Sequence, residues 1–230
     1  MFRQILAASN LNLTDKMIDQ FEEYAALLID WNKKMNLTAI TEPRQIAIKH
    51  FLDSLSLFSV YDVPQAAKVI DVGTGAGFPG VPLKIARPDI ELTLLDSLQK
   101  RLFFLDALTS QIGLEISLVH SRAEDGARKN LFREKFDVAV SRAVAPLNVL
   151  LEYCLPFVKV GGVFVALKGS RAPEEIYTAK NALQVLKGEI VKVKNFKLDE
   201  EERNIIVIRK TEAVDFLYPR SSAKIKRKPL

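Results

Sequence analysis

The first third of the chain carries its apolar residues at helical spacing. Met17, Phe21, Tyr24, Leu28, Trp31 and Met35 follow one another at intervals of four, three, four, three and four residues. Such a stripe occupies one face of a helix of about five turns. Thr14 is placed to cap that helix, Asp15 suits the positive end of its dipole, and Lys33-Lys34 precede its expected end near Asn36. The stripe, Trp31 included, is expected in a core. Pro43 opens a further helix carrying Ile46, His50, Leu52 and Leu55, and Asp62-Val63-Pro64 reads as a short joint. Residues 1–64 are therefore predicted to be a helical cap on the remainder of the chain.

Beyond the joint, short apolar runs alternate with helical stripes. Val69–Val72, Glu91–Leu95, Ile116–His120, Phe136–Val140 and Val163–Leu167 read as strands, the first of them covered on both faces. Between them, Leu98, Leu102, Phe103, Leu105, Leu108 and Ile112 stripe a helix stopping at Gly113, and Leu147, Leu150, Leu151, Cys154 and Leu155 stripe another. A helix from about Pro173 to Leu186 precedes two last strands, Glu189–Leu198 and Asn204–Arg209. Asp199-Glu200-Glu201-Glu202 between them is too polar for a core and predicts a hairpin connection. The alternation gives an α/β fold with a mostly parallel sheet and one antiparallel strand.

The first strand runs straight into Gly73-Thr74-Gly75-Ala76-Gly77-Phe78-Pro79-Gly80. Glycine at alternate positions lets the backbone turn sharply and removes every Cβ between it and a ligand. Pro79 suits the first turn of the next helix. Residues 75–80 satisfy G-x-G-x-x-G, which by itself also fits a turn with no ligand. Asp96 ends the second strand, where an acid accepts the ribose hydroxyls of an adenosine, in NAD or in S-adenosylmethionine. Ala123 and Glu124 follow the third strand, and Arg142 follows the fourth, all at carboxyl ends where open sheets bind ligands. Glu124 also reads as an acid at a helix N-terminus, and Arg142 as half of a surface ion pair.

These residues carry a resemblance. Val69–Leu83 (VIDVGTGAGFPGVPL), Leu94–Ser97 (LLDS), His120–Glu124 (HSRAE), Phe136–Leu147 (FDVAVSRAVAPL) and Phe164–Gly169 (FVALKG) resemble, in this order, the ribosomal small-subunit methyltransferase G family. That family is also called glucose-inhibited division protein B. Trp31–Thr38, His50–Leu55 and Arg203–Arg209 are similar to it too, so the resemblance spans roughly residues 14–229. It implies a class I, Rossmann-like methyltransferase sheet of strand order 3-2-1-4-5-7-6. It implies S-adenosyl-L-methionine as cofactor and N7 of a guanine in 16S ribosomal RNA as target. Gly73, Gly75, Gly77, Phe78, Asp96, Ala123, Glu124 and Arg142 are then expected around the cofactor. Arg142 is also the candidate for positioning, either through guanine O6 or through the cofactor's carboxylate.

Other chemistries fit less well. His50 and His120 lie seventy residues apart and no CxxC or HxH occurs, so no metal site is expected. Cys154 falls mid-helix on an apolar face, unsuited to the thiolate attack of cytosine C5 methylation. Ser141-Arg142-Ala143-Val144 stands where exocyclic adenine methylases carry Asn-Pro-Pro-Tyr. Guanine N7 carries a lone pair and no proton, so its in-line methylation requires no general base and no covalent intermediate. A nicotinamide-dependent oxidoreductase and a non-catalytic RNA-binding protein on the same scaffold stay open as alternatives.

Composition and charge add partners. The chain has 230 residues, 48% of them hydrophobic, which suits one domain with a modest extension. A single cysteine and no signal-like opening suit the cytoplasm, and no apolar run long enough for a membrane span occurs. The net charge is +5, and Arg220, Lys224, Lys226, Arg227 and Lys228 stand in an acid-free segment. That segment is expected to be mobile, to lie outside the cofactor crevice, and to contact RNA phosphates. The reading is a cap (1–64), a methyltransferase domain (65–212) and a basic tail (213–230), working as a monomer on 16S ribosomal RNA or the small subunit.

Overall fold

The computed structural model describes residues 2–9 and 11–230; Met1 and Asn10 of the expected cap lie outside them. Helix α1 (Phe2–Ala7) packs beside α2 (Asp15–Met35). Thr14 caps α2, its Oγ1 accepting from the Met17 N–H at 3.3 Å, and Asn36 ends it in the left-handed region that asparagine tolerates. Phe21, Tyr24 and Leu28 are fully buried as the stripe requires, each such apolar side chain contributing roughly 1.5–3 kcal/mol. Trp31 packs its edge on Phe104, with ring centroids 5.7 Å apart.

The second cap segment departs from a regular helix. It runs as α3 (Pro43–Ile46), a π-helical turn (Ala47–Leu52), α4 (Asp53–Leu55) and a 3-10 turn (Ser56–Ser59). A π turn inserts an extra residue per turn and re-aims the side chains after it. Ile46, Ala47, Ile48, Phe51 and Leu55 take the core positions, and half-buried His50 is aimed at the carboxyl end of the sheet.

The sheet is formed by β1 (Lys68–Val72), β2 (Glu91–Asp96), β3 (Ser117–His120), β4 (Phe136–Arg142), β5 (Val158–Lys168), β6 (Gly188–Leu198) and β7 (Glu201–Lys210). Its order is β3-β2-β1-β4-β5-β7-β6, parallel except for β7, which is antiparallel to both neighbours. Alternate strand residues feed two cores. Val69, Leu94, Val138 and Val165 face the cap, α5 (Gly80–Ala86) and α6 (Gln99–Gln111). Ile70, Leu95, Ala139 and Phe164 face the other side, covered by α8 (Leu147–Cys154), α9 (Ala172–Thr178) and α10 (Lys180–Val185), with the short α7 (Ala123–Gly126) at its margin.

Several sequence expectations are corrected. Leu98 and Phe103 of the expected stripe are exposed, and Phe104 occupies the core instead. The expected helix over 173–186 breaks at Ala179 into α9 and α10. The fifth strand begins at Val158 rather than Val163 and carries Gly161-Gly162 inside it, at a bulge where the register jumps from Phe136↔Val158 to Val138↔Val163. The hairpin connection is only Asp199-Glu200. Glu201 and Glu202 pair in the ladder opposite Leu198 and Lys197, at the solvent-facing end of the sheet.

The basic tail is not a mobile appendage. It folds back as a strap ending in α11 (Ser222–Arg227), which packs on α8 with Ile225 fully buried. Arg133 donates to the carbonyls of Val214, Asp215 and Tyr218 at 2.7, 3.1 and 2.9 Å. Arg220 forks onto Glu152, a fully buried carboxylate, at 2.7 and 2.9 Å. Polar anchors from distant elements replace the apolar periodicity whose lack suggested disorder.

Candidate active site

The turn after β1 is held from below. Gly73 and Thr74 donate their amides to the Leu95 carbonyl at 2.9 and 3.1 Å. Gly75 has φ +62°, and a Cβ there would meet nothing within 4 Å, so its missing side chain faces open space. Its amide donates to Asp96 Oδ2 at 2.9 Å. Gly77 has a different purpose: a Cβ would come within 2.6 Å of the Tyr24 hydroxyl, and the residue does not reach the crevice. Its absent side chain lets α2 press on the turn, where the Tyr24 hydroxyl donates to the Ala76 carbonyl. Pro79 is the N-cap of α5 rather than its first residue.

Beneath the turn, Asp71 is completely buried. Its Oδ2 accepts from Thr74 Oγ1 at 2.7 Å and from the Gly80 amide at 2.8 Å, while Oδ1 has no partner among the described residues. Burial pushes this carboxyl up to about 7 against those hydrogen bonds.

The turn forms the floor of a crevice of about 870 Å³. Gly73, Gly75, Phe78, Asp96, Ala123, Glu124 and Arg142 all line it. Buried Asp96 accepts from the Leu98 amide at 2.9 Å and is paired with Arg101 at 3.2 Å. Glu124 is buried in the first turn of α7, with Arg122 at 3.9 Å. Ser222, Lys226 and Pro229 line the same crevice, so the tail is part of its wall.

A second crevice of about 810 Å³ adjoins the first, sharing His50, Arg142 and residues 143–146. Lys49, Arg142, Lys168, Arg171 and Arg203 outnumber Asp53, Glu174 and Glu175 in its lining. Lys168 bridges Glu175 Oε2 and the Ala145 carbonyl, each at 2.6 Å, and so fixes the dividing segment.

Arg142 stands in that divide. Its Nη1 donates to Asp53 Oδ2 at 2.7 Å and to the Lys49 carbonyl at 3.1 Å, and its guanidinium lies 4.9 Å from the Phe78 ring centre. Asp53 accepts from Arg203 as well, at 3.0 Å, so one buried cap carboxylate ties β4 to β7. Phe78 is sandwiched between Tyr24 at 5.3 Å and His50 at 4.5 Å, both nearly parallel to it. Burial, then the Arg142 charge, lowers the His50 pKa to about 3. The neutral ring accepts from Arg142 at Nδ1, since guanidinium only donates, and Nε2–H faces Thr38 Oγ1 at 2.8 Å.

From the sequence, His50 belongs to an apolar stripe, and Thr38, Asp53, Lys168 and Arg203 have no part in this site; Lys226 has a different one. Most of these residues lie in the segments that carry the family resemblance, which was the only signal for them. Cys154 is buried on α8, where desolvation pushes its thiol well above the usual range. Among the described residues no cluster of three His, Cys, Asp or Glu side chains could hold a metal.

The profile of the family described as "GidB: rRNA small subunit methyltransferase G" matches residues 17–206. The chain belongs to the rRNA small subunit methyltransferase G family. It is 48% identical over 232 residues to "Ribosomal RNA small subunit methyltransferase G" of Brevibacillus brevis, covering 100% of this chain and 98% of the relative. To the protein of the same name from Thermoanaerobacter sp. it is 51% identical over 216 residues, covering 93% and 90%. Solved structures share the fold at low identity. A SAM-dependent methyltransferase from Aquifex aeolicus superposes with TM-score 0.56 at 14% identity, over 75% of this chain and 96% of that one. A putative methyltransferase from Bacillus halodurans gives 0.55 at 14%, over 70% and 100%. The methyltransferase G motifs thus sit on a class I methyltransferase sheet, with its strand order as expected.

Proposed function

We propose that this protein transfers a methyl group from S-adenosyl-L-methionine to N7 of a guanine in 16S ribosomal RNA, in line and without a covalent intermediate. The observation that carries the reading is the pair of adjoining crevices at the carboxyl ends of the strands, divided only by His50, Arg142 and residues 143–146. One has the open glycine turn and a buried acid at the end of β2, which fit an adenosine and its ribose. The other has five cations against three carboxylates in its lining, an excess that fits a nucleotide and its phosphates.

When bound, the cofactor supplies an electrophilic methyl on a positively charged sulfur. Asp96 accepts from the ribose hydroxyls, and Ala123 and Glu124 face the adenine. Gly73, Gly75 and Phe78 form the floor. Exposed Arg171 meets the RNA backbone at the second crevice, whose walls Lys168 and Arg203 hold through Glu175 and Asp53. Arg142 is a positioning residue: fixed by Asp53 and Phe78, it orients guanine O6 or the cofactor's carboxylate across the divide. N7 needs no deprotonation, so the site's work is alignment, which in favourable cases is worth roughly 7–11 kcal/mol. We further propose that residues 1–64 act as the cap, 65–212 as the methyltransferase domain and 213–230 as the basic strap, in a cytoplasmic monomer acting on the RNA or the small subunit.

The test is transfer of labelled methyl groups to ribosomal RNA from cells lacking this activity, followed by nucleoside analysis. Label in 7-methylguanosine is the expected result. Label in another nucleoside, or RNA binding without incorporation, would overturn the reading, as would binding of NADH in place of S-adenosylmethionine.

A further inference from the structure

The tail of five cations has two sides. Ile225 anchors α11 in the core beside α8. On one side of that anchor, Ser222, Lys226 and Pro229 line the cofactor crevice. Tyr153, in the same lining, is hydrogen-bonded to Ser222 and lies within charge range of Glu124, which puts the tail on the Glu124 side, the proposed adenine end. Lys224, Lys226, Arg227 and Lys228 are all exposed and make no ion pair among the described residues, and of these four only Lys226 lines the crevice. Arg220 does not belong with them, because Glu152 occupies its guanidinium and its backbone amide.

The strap is fixed at its root and light at its end. Arg128 and Arg133 hold the carbonyls of residues 214–219, and Arg220 is pinned by Glu152. Past Arg220, Ile225 is the one fully buried side chain, on a helix of under two turns, helped by half-buried Leu230 and a Ser222–Tyr153 hydrogen bond. So little buried surface is easily released, and ordering this end is a cost that either ligand can share.

We propose that residues 221–230 form a closing wall over the adenine end of the cofactor and bind RNA phosphates with their outer side, so that each ligand tightens the other. Lys226 and Pro229 touch the cofactor, while Lys224, Arg227 and Lys228 touch RNA. A wall ordered by RNA no longer has to be ordered by the cofactor, and the coupling is reciprocal. The proposal rests on the reading of the crevice as an S-adenosylmethionine site.

Calorimetry with S-adenosylhomocysteine, which lacks the transferable methyl, tests it with and without in vitro transcribed 16S ribosomal RNA. The full chain is expected to bind and to gain about fivefold or more in affinity with RNA. Truncation after Ser221 keeps the Arg220–Glu152 pair. It should weaken binding about tenfold and abolish the gain, with the melting curve marking an intact fold. If that chain does not fold, two full-length variants decide. Lys226→Ala should weaken binding without RNA. The triple variant Lys224→Ala, Arg227→Ala, Lys228→Ala should keep that affinity and lose the RNA gain. A folded truncation whose affinity is unchanged or tighter overturns the wall. A full chain that shows no RNA gain overturns the coupling. A full chain that binds RNA but not the cofactor product overturns the cofactor reading itself, and the wall with it.

Discussion

Buried Asp71 and half-buried His50, under and beside the glycine turn, oppose one another. His50 is held near 3 against an ordinary 6.5, so its contribution to stability is complete above 6.5 and is lost as pH falls toward 3. Asp71 is raised to about 7 from 3.8, so its contribution is complete below 3.8 and is lost as pH rises through 7. Between 3.8 and 6.5 the two slopes, each up to about 1.4 kcal/mol per pH unit, cancel. Relative to wild type, His50→Phe is expected to make stability fall more steeply with rising pH in that window. Asp71→Asn is expected to make it rise. Urea unfolding across the range measures both, and parallel profiles for all three proteins would contradict the burial argument. Asp96→Ala should weaken S-adenosylmethionine by roughly 1.5–3 kcal/mol, since a charged acceptor is lost; unchanged calorimetric affinity would remove Asp96 from the site. That Asp96 and Gly75 meet at one crevice was legible in the sequence, because their placement is local: a strand, a turn, the next strand end. His50 was not, because a histidine on an apolar stripe reads as core until a π turn re-aims it.

At the scale of elements, the strands and the long cap helix followed from periodicity, since alternation and a capped stripe are written along the chain. What escaped was set by partners far away in sequence. Glu201 and Glu202 read as a connection because acids suit turns, yet Lys49 and Arg203 neutralise Glu201 within the ladder. Leu98 and Phe103 read as core because apolar residues at those spacings usually are, and here solvent covers them. The strap is the largest such case: its order depends on Arg133, Glu152 and α8, none of them nearby in the chain. Arg220→Ala should therefore destabilise the protein by about 3–5 kcal/mol, because it leaves Glu152 buried with a backbone amide but no counter-charge. Adding Glu152→Leu to that variant should recover much of the loss. Denaturant unfolding of the two single variants and the double variant checks this, and strict additivity would show the pair to be independent.

For the whole molecule, the strand order came from resemblance, while the sharing of one wall by two crevices is visible only in three dimensions. The expected RNA footprint changes accordingly. With Arg220 committed to Glu152 and Lys226 facing the crevice, three of the tail cations remain for phosphates: Lys224, Arg227 and Lys228. Each phosphate neutralised on single-stranded RNA contributes about −0.7 to the salt slope, so truncation after Ser221 should flatten it by about 2 units. Binding curves across a salt series measure this; superimposable slopes would remove the tail from the RNA interface.

Tyr24 touches the glycine turn itself, and Gly77 makes room for it. The cap is thereby built into the glycine turn, and the chain resists dissection. A fragment begun at residue 65 would keep every strand and every glycine, yet Phe78 would lose the rings of Tyr24, Phe51 and His50 together. Such a fragment is expected to aggregate or to bind no cofactor, which expression and calorimetry would reveal. A replacement for the first sixty-odd residues would have to bring its own hydrogen-bond donor to the Ala76 carbonyl that Tyr24 now serves.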